Sequence, residues 1–145
     1  MKTAYKTEAA QVAALTKAEL KEKFPGTVFS VKSHTYAGGD SVTIYYTATV
    51  NGPKISAVEL VGSKYKAGHF DGSIDCYEYT NRGTGPTAKY IFVDADTRAL
   101  QESLKDEFMR YWGITEEQYA NKHSVWFNNG WLSMLEHRFI HDKIK

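Results

Sequence analysis

The sequence predicts an α+β fold, in which an antiparallel sheet of four strands is built from two hairpins and helices cover one face. Segments with a helical period of apolar residues alternate with paired segments in which apolar and polar residues alternate strictly. Their order is helix, hairpin, helix, hairpin and then helices. Strands joined as hairpins favour an antiparallel sheet, and the helices are needed to bury its apolar face.

The bulk composition is that of one folded domain. The chain has 145 residues, of which 42% are hydrophobic and 24% charged. We therefore expect a single domain over residues 1–145, with a core over 1–112 and a helical extension over 113–145 packed on it. A single cysteine and an N-terminal segment interrupted by charges indicate a cytoplasmic protein, with neither a signal peptide nor a membrane span.

The first helix and the first hairpin are predicted by two different periods. Apolar residues up to Leu20 fall on one helical stripe, and Pro25-Gly26 ends the helix. Residues 27–32 and 42–49 then alternate with a period of two, as strands do. Between them lies a polar loop in which Gly38-Gly39 can adopt positive φ at little cost.

The second helix and the second hairpin follow the same logic. Asn51-Gly52-Pro53 is typical of a turn before a helix, whose apolar face runs from Ile55 to Tyr65. Gly68 is expected to end that helix. Asp75–Thr80 and Thr87–Val93 are then predicted to pair as the second hairpin.

The C-terminal part is predicted to be helical. Asp94 or Asp96 is placed to cap a helix that Gly113 ends. Thr115 and Gln118 have the spacing of a capping box for a further short helix. A terminal helix is expected after the next asparagine-glycine turn.

Four short motifs resemble one known family. They are LKEKFPGTVFSV, GGDS, NGP and FDGSIDCY, and they lie between Leu15 and Thr80. The chain is similar there to one of the large polyvalent protein-associated domains of phages and conjugative elements. This resemblance implies an accessory role beside other domains that enter a new host with mobile DNA and counter its defences. It implies no catalytic residues.

Tyrosines and lysines near the two hairpins form the candidate binding surface. Outward-facing aromatic rings can form the core of a protein interface, or they can stack on nucleic-acid bases for about 1–3 kcal/mol each. Tyrosine and threonine are also good strand formers without any binding role. The candidate residues are Lys32, Tyr36, Tyr45, Lys54, Lys64, Lys66, Tyr77, Tyr79 and Arg82.

The charge balance decides between the two kinds of partner. The formal net charge is +1, whereas strong nucleic-acid binders carry a marked basic excess. The charge therefore favours a protein partner. The resemblance implies that this partner is a host protein or a protein–nucleic-acid complex, bound in the cytoplasm of the host cell in a counter-defence role. Direct binding of single-stranded DNA or RNA is the alternative, and a homodimer is left open.

Catalytic and metal-binding patterns are weak in this chain. His137 and His141 share a helical face, but they lack the adjacent glutamate and third ligand of a zinc enzyme, so a solvated helix surface is expected. Asp71 and Asp75 have too few oxygen ligands around them for calcium, and Asp71 is expected to cap a turn. Cys76 has no local nucleophile signature. We expect no enzyme activity, no metal and no cofactor.

Overall fold

A computed structural model describes residues 7–80 and 85–145 and shows an α+β chain. The described residues form five helices and seven strands. They divide into two compact units. The first takes in the chain up to Thr47 together with Ile55–Ala95, and the second joins Ala48–Lys54 to Asp96–Lys145. The one-domain organisation stays a prediction.

The first unit contains two helices and five strands. In chain order they are α1 (Glu8–Lys23), β1 (Phe29–Tyr36), β2 (Gly39–Thr47), α2 (Ile55–Ser63), β3 (Gly68–Asp71), β4 (Cys76–Tyr79) and β5 (Tyr90–Asp96). At the start of α1 the Thr7 hydroxyl accepts a hydrogen bond from the Ala10 N–H at 3.0 Å. The helix ends before the proline-glycine pair, as predicted.

The main sheet has three strands in the order β1-β2-β5. β1 and β2 form the predicted antiparallel hairpin, in a register that runs from Phe29 opposite Tyr46 to Tyr36 opposite Gly39. This order places β5 on the side of β2 that is opposite β1. Because the sheet is mixed and β1 is antiparallel to β2, β5 runs parallel to β2. β3 and β4 form a separate two-stranded hairpin.

The predicted four-stranded antiparallel sheet from two hairpins is therefore wrong. Residues 76–79 pair with 68–71, and 90–96 pair with β2 instead. A tight turn explains the first change. The Asp71 carboxylate accepts hydrogen bonds from the N–H and the hydroxyl of Ser73, and Asp75 takes a φ of 51°. The turn thus lies after Asp71 and leaves 68–71 free to be a strand.

One face of the main sheet is buried beneath helices. α1 packs on β1, β2 and α2. In β2 the alternate side chains Val42, Ile44 and Tyr46 are buried. α2 approaches closely at Gly62, where an added Cβ would lie 2.9 Å from Ile91 Cγ2 and 3.5 Å from Ile44 Cδ1. Both helices thus cover the face that carries Ile44 and Ile91.

The second unit is mainly helical. Its elements are α3 (Arg98–Trp112), α4 (Glu116–Ala120), β6 (Trp126–Phe127), β7 (Gly130–Trp131) and α5 (Leu132–Ile144). α3 ends at Gly113 in the left-handed conformation. Thr115 and Gln118 form the predicted capping box of α4. Asn128 and Asn129 both take positive φ in the turn between β6 and β7.

The core of the second unit separates the three tryptophans. Phe108, Ile114 and Leu132 are buried at its centre, and Trp112 packs against them. Trp126 and Trp131 face each other across the β6–β7 hairpin, and 62% and 43% of their surfaces are exposed.

In residues 7–80 and 85–145, no helix combines the length and the apolar character that a membrane crossing requires.

Candidate binding surface

The sheet face opposite α1 and α2 carries an exposed aromatic surface. Thr43 and Tyr45 of β2 lie on this side, because the residues that alternate with them are buried. Lys32 of β1 lies on the same side, because it is opposite Thr43 in the register. The same rule applies in β5, where Ile91 is buried and its neighbours Tyr90 and Phe92 point away from the helices. We call this surface the outer face; its residues are Lys32, Thr43, Tyr45, Tyr90 and Phe92.

The outer face is accessible at its aromatic rings. Tyr45 and Phe92 keep 38% and 53% of their surfaces exposed. The rings of Tyr90 and Phe92 are stacked, with centroids 6.0 Å apart and planes inclined by 11°. Among residues 7–80 and 85–145, these rings are therefore only partly covered.

The β3–β4 hairpin extends this aromatic surface. The Tyr77 ring meets Tyr90 edge to face at 5.5 Å and meets Tyr79 at 4.9 Å. Tyr79, Tyr77, Tyr90 and Phe92 thus form one continuous series of ring contacts, which we call the aromatic row. Tyr79 at its end is 44% exposed.

Lys89 holds the middle of the aromatic row in place. Its Nζ lies 5.0 Å and 5.5 Å from the ring centroids of Tyr77 and Tyr90, and it donates a hydrogen bond to the Gly38 carbonyl at 3.0 Å. The Tyr77 hydroxyl donates to the Lys89 carbonyl. Burial raises the pKa of Tyr77, which keeps the hydroxyl protonated and able to donate.

Lys32 and Tyr45 are brought together as the candidate surface requires. Lys32 lies opposite Thr43 in the register, and its Nζ is 5.7 Å from the centroid of the Tyr45 ring. Tyr36 lies at the end of β1, where it is 42% exposed and its hydroxyl donates to the Asp40 carbonyl at 3.4 Å. These contacts leave the rings available on one surface.

The other predicted binding residues lie elsewhere. Lys64 donates to the Glu19 carboxylate of α1 at 2.6 Å, on the helical side of the sheet. Lys66 lines a groove between α2 and β5. Lys54 belongs to the second unit. Arg82 lies outside the described residues.

Glu19 ties α1 to the end of α2 and is structural in character. Besides Lys64 it accepts a hydrogen bond from the Tyr65 hydroxyl at 2.8 Å. The Lys64 hydrogen bond is the main cause that lowers the pKa of Glu19. Burial, followed by the bond to Glu19, raises the pKa of Tyr65 to about 12.

Sequence reasoning missed Lys89, Tyr90 and Phe92. The signal was present, because Tyr90 and Phe92 alternate with Ile91 and Val93 just as Tyr45 alternates with its buried neighbours. The sequence predicts that this strand pairs with residues 75–80, and that prediction hides its position beside β2. Once β5 is placed next to β2, the alternation assigns both rings to the outer face.

The two histidine candidates belong to the second unit and Cys76 to the first. The imidazole rings of His137 and His141 lie 4.2 Å apart on the exposed side of α5, and burial followed by the charge of His137 lowers the pKa of His141. Cys76 is exposed in β4. Within residues 7–80 and 85–145, no three His, Cys, Asp or Glu side chains are grouped to hold a metal ion.

Comparison with known proteins identifies the family. No curated protein and no solved structure matches the chain. A family model described as "Large polyvalent protein associated domain 29" matches residues 7–103, which extends beyond the motifs between Leu15 and Thr80 and includes all of β5. Such domains accompany others in the polyvalent proteins of phages and mobile elements, which gives this chain a phage-associated accessory role. The chain belongs to the large polyvalent protein-associated domain 29 family.

Proposed function

We propose that this chain is a non-enzymatic accessory domain that acts by binding a host protein, or a protein–nucleic-acid complex, through the outer face and the aromatic row. The proposed setting is the cytoplasm of the host cell, where the interaction would counter a host defence. The accessory setting of the family supports this role. The observation that carries the proposal is the row of ring contacts left accessible on the sheet.

The charge of this surface favours a protein partner. Lys32 and Lys89 place two positive charges beside the rings, and the exposed Asp94, two residues after Phe92, contributes a negative one. The centre of the surface is aromatic. Protein interface cores are enriched in tyrosine and phenylalanine and depleted of charge, so the composition fits. Alanine substitution of such rings typically costs at least about 2 kcal/mol of binding energy when they are hot spots.

A specific observation favours a second candidate, the direct binding of single-stranded DNA or RNA. The nearly parallel rings of Tyr90 and Phe92 lie on an open sheet face, as in folds that stack bases on strand aromatics. Lys32 and Lys89 lie beside rings of the same surface and could contact phosphates. This candidate predicts binding that weakens steeply with salt.

The test compares affinity recovery from host lysate for wild type and Tyr45→Ala/Phe92→Ala. Both rings are exposed, so we expect the double variant to fold normally. Tyr111→Ala is the matched control, because Tyr111 is 70% exposed but belongs to the second unit. We expect a partner that survives nuclease treatment, is retained by the control and is lost from the double variant.

Two results distinguish the candidates. A partner retained equally by Tyr45→Ala/Phe92→Ala would contradict the proposal, since the outer face would then contribute nothing. A salt-sensitive mobility shift of a single-stranded oligonucleotide, weakened by Lys32→Ala together with Tyr45→Ala, would instead establish the second candidate.

A further inference from the structure

A second surface lies at the edge of the main sheet, apart from the outer face. β5 is an edge strand, because the order of the sheet is β1-β2-β5. The backbone N–H and C=O groups on the free side of an edge strand can pair with another extended chain. A groove of about 360 Å³ runs beside this edge, between β5 and α2.

The walls of the groove are suited to a side chain. Ile91 and Val93 of β5 form the strand wall, and Leu60 of α2, whose surface is 69% exposed, stands on the helix side. Ser56, Glu59 and Ser63 lie on the same helix wall, and Lys66 also lines the groove, so apolar groups make up only part of its lining. An extended chain added to β5 would direct every second side chain toward α2, where these apolar groups are.

The chain itself shows which occupant fits. After α2, Lys66 forms a parallel β-bridge with Ala88. Two hydrogen bonds of 2.8 Å make this bridge. The Ala88 N–H donates to the Tyr65 carbonyl, and the Ala67 N–H donates to the Ala88 carbonyl. Ala88 lies two residues before β5, so this short pairing stops just short of that strand. The chain then leaves the edge to form β3, and the groove continues along β5 where the pairing stops. An extended strand is thus the occupant that continues the existing pairing.

The opposite edge of the sheet lacks these features. From Lys32 to Tyr36 every residue of β1 is exposed, so a strand added there would bury its side chains less than one added beside the α2 groove. A lysine on an edge strand also discourages pairing. The two edges therefore differ in what they can bind, and β1 serves as an internal comparison.

We propose that the β5 edge and the α2 groove bind an extended segment of a partner protein by strand addition, with an aliphatic side chain of that segment between Leu60, Ile91 and Val93. The bound segment becomes the fourth strand of the main sheet, next to β5. Backbone pairing supplies the affinity, and the groove selects the side chain. The proposal does not depend on the outer face.

The test uses a capped peptide of alternating threonine and valine and follows the backbone amide signals of the whole chain by NMR. We expect shifts along β5 and at Leu60, with no comparable shift along β1. The same peptide with alternate backbone nitrogens methylated should not bind, because it cannot donate to the strand edge. This comparison requires no change in the protein.

Leu60→Asp should weaken binding by about tenfold or more, since a charge would replace the apolar wall. Leu15→Asp on α1 is the matched control, because Leu15 is also an exposed leucine on a helix of the first unit, and it should leave binding unchanged. Equal weakening by both variants would overturn the proposal. Shifts along β1 instead of β5 would also overturn it. If protection of the β5 amides rose with protein concentration in the absence of peptide, the occupant would be a second copy of this chain, and the proposal would likewise be overturned.

Discussion

Gly68→Ala tests how the β3–β4 hairpin is held. Gly68 lies opposite Tyr79 in the hairpin register. A Cβ at this position would lie 1.8 Å from the carbonyl oxygen of Glu78, which is 1.6 Å closer than the 3.4 Å at which ordinary contacts begin. The obstacle is backbone, so a rotamer change cannot relieve it.

The expected cost follows from this geometry. Overpacking that side chains can absorb typically costs about 1–3 kcal/mol, and a displaced backbone belongs at the upper end of that range. We therefore expect Gly68→Ala to lower the free energy of opening the hairpin by about 3 kcal/mol. Amide exchange would then speed up by more than about a hundredfold at hydrogen bonds that the hairpin maintains.

Amide hydrogen exchange at Thr80 measures this directly. The Thr80 N–H donates to the Ala67 carbonyl at 2.9 Å, next to the substituted residue. Gly72→Ala is the control in the same hairpin, because an added Cβ there has only Phe70 Cε1 within 4.0 Å. We expect the control to stay within about 0.5 kcal/mol of wild type. Equal protection of Thr80 in both variants would refute the reasoning.

Three further predictions concern the second unit. In a denaturant titration, Lys122→Met should lower the free energy of unfolding of this unit by about 3–5 kcal/mol, because the buried Glu136 carboxylate would lose the Lys122 ammonium at 2.7 Å. Lys143→Met is the control, because the Lys143–Glu107 pair is about half exposed. It should change the free energy of unfolding by less than about 1 kcal/mol. The hydrogen bond from the Arg98 side chain is the main cause that lowers the pKa of Asp96 to about 2. This pair stabilises the fold at pH values above the ordinary Asp pKa of 3.8, and its contribution is lost as the pH falls toward 2. In Arg98→Ala, an NMR titration should show the Asp96 pKa rising toward 3.8. An unchanged pKa would show that Arg98 is not the cause of the low value. Thr115→Ala removes the capping box of α4 and should cost about 1 kcal/mol by thermal unfolding, whereas Thr115→Ser should retain most of the stability.

Local features of the fold could be predicted because their causes are local. The β1–β2 hairpin follows from a period of two and a glycine turn, both of which lie within the 19 residues from Phe29 to Thr47. The capping box at Thr115 depends on two side chains three positions apart. The outward position of Tyr45 follows from the same alternation, whereas its contact with Lys32 depends on the register of the two strands.

The neighbour of β5 could not be predicted in the same way. Its pairing with β2 joins segments more than forty residues apart and depends on where α2 packs. The close approach of Gly62 to Ile91 helps to fix that position, and its cause is visible only in three dimensions. A hairpin with residues 75–80 looked more economical because sequential strands usually pair. This one error concealed Tyr90 and Phe92.

The aromatic row depends on backbone contacts that lie outside the outer face. Ala67 links the two parts: its N–H donates to Ala88 just before β5, and its carbonyl accepts from Thr80 at the end of β4. The Tyr77 hydroxyl adds a bond to the Lys89 carbonyl.

Displacing the hairpin should therefore separate Tyr77 and Tyr79 from Tyr90 without removing any ring. If the whole row is recognised, Gly68→Ala should weaken partner binding although it changes no exposed side chain, and Gly72→Ala should not. If binding is lost in Tyr45→Ala/Phe92→Ala but unaffected in Gly68→Ala, the partner contacts the main sheet alone, and the hairpin rings are packing rather than interface.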